Sequence, residues 1–141
     1  MKTVIITISL FLISGVSYAQ TPVNPNKDHF TVKVYKVSQT GQGELLGTVL
    51  LHDGKKGLFI LPDLKGLPPG PHGFHIHTNG SCADFGKAAG GHYDPANTGK
   101  HLGPNGNGHV GDLPVLMVNS SGYANTPEVA PHVKAKDIKG R

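Results

Sequence analysis

Short runs of alternating apolar and polar residues, cut every ten residues or so by glycine or proline, are the strongest constraint on how this chain can fold. Phe30, Val32 and Val34 fall on one face of an extended segment, and Thr31, Lys33 and Tyr35 on the other. Residues 45–51, 57–61 and 115–118 read as further strands. Turn chemistry separates them: Gly41-Gln42-Gly43, Asp53-Gly54 as a hairpin signal, and Ser120-Ser121-Gly122. Leu67-Pro68-Pro69-Gly70-Pro71 excludes regular structure and leads stiffly into Gly73-Phe74-His75-Ile76-His77, also read as a strand. No segment carries a helical period. The pattern predicts an all-β, antiparallel sandwich or flattened barrel.

The first 19 residues have a different design. Lys2 precedes an apolar run over residues 4–16, and Ser17-Tyr18-Ala19 offers the small residues that a signal peptidase reads. The run is shorter than the ~20 residues a membrane span needs, so a cleaved export signal is expected in place of an anchor. Residues 20–28, rich in proline and asparagine, read as a flexible leader, and residues 29–141 as one sandwich domain. A periplasmic or secreted location follows, with no membrane partner. The formal net charge is +4 with scattered lysines and few aromatics, which gives a nucleic-acid surface little support but suits attraction of small anions.

Histidines carry the chemistry. In a strand, His75 and His77 would stand on one face, side by side. Such a pair is either a half-exposed strand with two polar residues or the start of a metal site. The glycine-rich stretch over residues 78–110 has little apolar content, and a loop of that length is either disordered or functional. In and just beyond it stand His92, His101, His109 and Asp112, at separations of nine, eight and three. Three imidazoles and a carboxylate form a closed set suited to Zn²⁺, and a bound ion would order a loop that has no core of its own. With His75 and His77 there are six candidate ligands, too many for one zinc, and an all-imidazole site suits Cu(II). His29, His52, His72 and His132 stand at strand ends or beside prolines and are read as surface residues.

From about Phe30 onward the chain resembles the copper–zinc superoxide dismutases in their exported bacterial form. The resemblance rests on GFHIHTNGSC, AGGHYDP, GKHLGP and GHVGDLP, in that order. It implies a Greek-key sandwich with a long metal-binding loop, and both Cu and Zn²⁺ as cofactors. It also implies His75, His77 and His92 on copper, and His92, His101, His109 and Asp112 on zinc. His92 would then be the bridging imidazolate and the catalytic residue, taking up a proton when copper is reduced and surrendering it to the product. The activity implied is dismutation of the superoxide anion to dioxygen and hydrogen peroxide by alternating copper redox, with zinc structural. A homodimer is the assembly to test.

Family members continue past the position of Arg141 with a strand carrying a fourth copper histidine, a Gly-rich turn with an aspartate and a channel arginine, and a second cysteine. By resemblance, Cys82 is half of a disulfide whose partner lies in that segment. The final strand or strands are therefore expected to be missing here, leaving an unpaired sheet edge and an incompletely covered core. The chain as given is expected to be impaired as an enzyme. The competing reading is an exported zinc- and copper-binding protein without turnover.

Overall fold

A computed structural model describes residues 29–141. The export signal over residues 1–19 and the leader over 20–28 lie outside the described residues. Seven strands form: β1 His29–Val37, β2 Gln42–Gly54, β3 Gly57–Lys65, β4 Gly70–His72, β5 Leu116–Val118, β6 Tyr123–Ala124 and β7 Glu128–Ala130. Every pairing between them is antiparallel. One sheet runs β1-β2-β3-β6, with β7 also on β3, and a second consists of β4 and β5. The chain leaves the first sheet after β3, makes β4, the long loop and β5 in the second, then returns as β6 and β7. This is a flattened sandwich, as the alternating pattern predicts.

The reason is clearest in β3. Leu58, Ile60, Pro62 and Leu64 point inward at a spacing of two, all buried. Across β3 they meet Val49 and Leu51 of β2, and Leu116 and Val118 of β5 cover them with Leu113, Val133 and Ile138. Pro62 has no N–H to donate, which normally bars proline from a central strand. Here it stands between residues 58–60, paired to β7, and residues 64–65, paired to β6. That gap accommodates it. Leu58 has 0% exposure, so Leu58→Ala should cost about 2–5 kcal/mol of stability, read as a fall in the urea midpoint at unchanged slope.

Several local expectations need correction. The β2–β3 hairpin turns on Lys55-Lys56, closed by the Gly54–Gly57 pair, two residues beyond Asp53-Gly54. Gly70-Pro71-His72 is strand after all, because Pro71 lies opposite Met117 in a short two-stranded ribbon in which both strands are edges. Gly73-Phe74-His75-Ile76-His77 is not a regular strand. It makes two isolated bridges, His75 to Asp112 and His77 to His92, because its partner changes partway along. The loop also holds a short 3₁₀ segment, Asp84–Ala89, tied to the β1–β2 turn through Asp84 N–H to Gln39 O and Phe85 N–H to Ser38 O.

On the edge away from β2, β1 pairs with no other strand among the described residues. Phe30 and Val34 pack on the core as read from the pattern, while Val32 is 38% exposed. A cleft of about 530 Å³ runs beside them, lined among others by Leu51, Leu58, Leu113, Ile138, His75 and His77.

Candidate metal centre

Three backbone segments meet where the second sheet gives way to the loop. Ile76 N–H donates to Gly111 O (2.9 Å), Tyr93 N–H to Ile76 O (2.8 Å) and Gly111 N–H to Tyr93 O (2.8 Å), closing a ring of hydrogen bonds. Each segment brings candidate ligands: His75 and His77 from the first, His92 from the second, His109 and Asp112 from the third. The two bridges therefore tie one candidate ligand to another. Gly111 is buried, and a Cβ there would collide with the Ile76 carbonyl oxygen. Gly111→Ala should push the three segments apart and lower metal content without unfolding β2 and β3, which dialysis followed by metal analysis would check.

The part of the loop between His92 and His101 is held by Asp94. Its carboxylate accepts from Thr98 Oγ1 (3.2 Å) and from Gly99 N–H (2.8 Å). Lys100 O then accepts from His109 N–H at 2.9 Å, which returns the chain to the cluster.

At the centre stands Asp112, 2% exposed. Its Oδ1 lies 2.9 Å from His92 Nδ1, 2.9 Å from His101 Nδ1 and 3.4 Å from His109 Nδ1. Gly103 N–H donates to Oδ2 at 3.3 Å. Burial alone would raise the Asp112 carboxyl. The hydrogen bond from His92, the His101 imidazole, the Gly103 amide and His109 outweigh it and hold the group below the ordinary carboxylate range. His109 Nδ1 is buried and has no hydrogen-bond partner. An orphaned buried nitrogen is costly. Three nitrogens facing one carboxylate oxygen are the donor set that a tetrahedral Zn²⁺ would accept, and the residues fit it.

His92 is the hub of the rings. Its centroid lies 3.9 Å from that of His75, nearly parallel, and 5.3 Å from His77, 5.2 Å from His101 and 5.4 Å from His109. With Nδ1 turned to Asp112, its Nε2 remains for a second ion. His77 Nδ1 donates to Gly90 O at 2.8 Å, which fixes the tautomer and leaves Nε2 with its lone pair free. Burial, then the neighbouring imidazoles of His92 and His101, lower the pKa of His75 against the opposing pull of Asp112, favouring a neutral ligand.

All six expected ligands thus gather in one cluster, but the cluster is not visibly divided in two. Ligand atoms of His75, His92, His101 and Asp112 lie within 4.8 Å of one another, which places His75 with residues expected on the zinc side. His75 and His77 meet edge to face at 6.4 Å instead of standing parallel. His29, His52, His72 and His132 stay outside the cluster; His29 and His132 are exposed as expected, but His52, stacked on Phe59 at 4.6 Å, and His72, whose Nε2 donates to Pro68 O at 2.7 Å, are half-buried. Cys82 is free and half-buried. Asp94 went unread, although Asp-Pro followed by Thr-Gly is recognisable turn chemistry. Gly90 and Gly103 act through backbone atoms, which leave no signal in a sequence.

Copper–zinc superoxide dismutase 2 of Salmonella typhimurium is 52% identical over 114 residues, covering 75% of this chain and 66% of that protein, so the chain spans just under two thirds of that relative's length. Among solved structures, the Cu/Zn superoxide dismutase of Brucella abortus is 46% identical with a TM-score of 0.76, covering 81% of this chain and 80% of that one. The monomeric copper, zinc superoxide dismutase of Salmonella enterica, solved in solution, is 51% identical with a TM-score of 0.64, covering 77% of each. Residues 45–141 match the family described as copper/zinc superoxide dismutase, and on that match the chain belongs to it.

Proposed function

We propose that the protein dismutes superoxide, two anions and two protons giving dioxygen and hydrogen peroxide. In this reading His75, His77 and His92 hold copper, and His92, His101, His109 and Asp112 hold zinc. The observation that carries it is the position of His92, hydrogen-bonded through Nδ1 to the buried Asp112 while its ring lies against His75 and His77. Copper, when bound, supplies one-electron chemistry that no side chain can, and zinc has none. Asp112 orients the His92 ring so that Nε2 can hold a proton and release it to the reduced product. Gly90 O keeps His77 in one tautomer. The net charge, +4 for the full sequence and +3 once Lys2 is removed with the export signal, favours arrival of an anion.

The test is superoxide decay followed directly with protein loaded with copper and zinc. The expected result is rapid catalysed decay that His77→Ala reduces at least about tenfold, because one of three imidazoles holding copper is lost. Stoichiometric metal with no acceleration of decay would overturn the proposal and favour a metal-holding protein without turnover. That second reading draws on the tighter convergence of the zinc set, 2.9–3.4 Å around one oxygen.

Export is part of the same proposal, supported by the apolar run over residues 4–16 and Ser17-Tyr18-Ala19. Among the described residues no helix is long and apolar enough to cross a membrane. The exported product should begin at Gln20 by intact mass. Recovery of an uncleaved, membrane-bound form would count against export. All candidate ligands come from one chain, so a homodimer is not needed to complete the site.

A further inference from the structure

We propose that Arg141 is a positioning residue that latches the His77 segment to the His92 segment, an inference that rests on reading the cluster as a metal centre. Arg141 is the sole arginine of the sequence. Its Nη1 donates to Thr78 O at 2.9 Å and its Nε to Asp137 O at 3.1 Å. The face of the same guanidinium covers the Tyr93 ring, with Cζ 4.1 Å from the centroid. Thr78 directly follows His77, and Tyr93 directly follows His92. One planar cation therefore grips the neighbours of two candidate copper ligands while it is also tied back to Asp137, the end of the 3₁₀ turn Ala135–Asp137.

The approach is built into the backbone. A Cβ at Gly80 would lie 2.6 Å from Gly140 O, so the 140–141 backbone can rest on this segment only because residue 80 is glycine. The two gripped segments are joined directly by Thr78 N–H to Gly91 O (3.0 Å), Thr78 Oγ1 to the same oxygen (3.1 Å) and Tyr93 N–H to Ile76 O (2.8 Å). The two bonds of Thr78 sit at the exposed rim of the cluster, where water competes for them. A guanidinium stacked on one segment and bonded to the other shields them and resists their opening. Among its contacts there is none with His101, His109 or Asp112. The latch thus acts on one side of the cluster only.

Lysine keeps the charge but cannot make two in-plane hydrogen bonds and a face contact together. This separates a latch from a general electrostatic role. In the metal-free protein, Arg141→Met should speed amide exchange at Thr78 and Tyr93 about tenfold, leaving Leu50 and Ile60 unchanged. In the loaded protein, copper should be lost to a chelator about tenfold faster and the copper(II) absorption should shift, while zinc loss changes less than about twofold. Arg141→Lys should restore only part of each effect. Gly80→Ala, which moves the backbone and leaves the arginine intact, should reproduce the same asymmetry. Unchanged exchange at Thr78 and Tyr93 would overturn the proposal. So would equal acceleration of copper and zinc loss with a lowered unfolding midpoint, or full rescue by lysine. If exchange responds as expected but the loaded protein does not dismute superoxide, the latch stands and the proposed activity fails.

Discussion

Asp112→Ala is expected to lower zinc affinity on the order of a hundredfold or more and to abolish the stabilisation that zinc confers. Three imidazole nitrogens face a single oxygen of this carboxylate, and that oxygen is buried. Alanine removes the only negative charge of the set and leaves three nitrogens around an apolar gap, where a dication would be poorly compensated. It also removes the acceptor for His92 Nδ1 and for Gly103 N–H, so the His92 ring loses its orientation and the loop one of its ties. Asp112→Asn keeps the shape and one acceptor, and should fold better without zinc than the alanine variant while binding the ion nearly as weakly. Two measurements decide: zinc content after dialysis, and the melting temperature with and without zinc. In the parent protein zinc should raise the melting temperature, because an ion that binds only the folded state stabilises it by mass action. His101→Ala should show the same loss in milder form, since its imidazole is exposed and its contribution partly replaceable by water. Unchanged zinc stoichiometry in both variants would refute the ligand assignment.

Strand positions were legible because alternation is a local code. In β1, Phe30 and Val34 lie on the face that the alternation assigns to the core, whereas β3 opens on a continuous apolar run whose inward residues only packing sorts out. The segment around His75 and His77 failed the same test for a physical reason. Its polar residues alternate as in a strand, but its hydrogen bonds go to two different segments, and a change of partner has no local signature. The six ligands were legible as residue types set among glycines. Their grouping was not, since the stacking of His75 on His92 depends on how three distant segments converge. Carbonyl acceptors such as Gly90 O and Thr78 O are invisible in a sequence because every residue has one. Nothing in the sequence around Arg141 marks it as part of the site. Its contacts place it instead against the backs of the ligand segments, a role only the folded chain discloses.

His92→Ala should produce the largest functional loss, a fall in superoxide decay rate of ~10²–10⁴ at matched metal content. The size follows from two jobs done by one ring. As the ring that meets His75, His77, His101 and His109, it touches the copper and the zinc candidates at once. As a base with one nitrogen committed to the Asp112 side, it offers the other as a proton carrier placed where the product forms, in place of a water that must diffuse in. Alanine ends both. Matching the metal content is essential, because the variant keeps only His75 and His77 for copper and will shed it faster. A second readout separates the bridge from simple loss of a ligand. In the parent protein, removing zinc should alter the copper(II) absorption, since both ions would share this imidazole. In His92→Ala the copper spectrum should no longer respond to zinc. His77→Ala also loses a copper ligand, yet should retain that response. If His92→Ala dismutes superoxide at the parent rate, or its copper spectrum still responds to zinc, then His92 is neither the proton carrier nor the bridge, and the histidines would have to be redistributed between two independent sites.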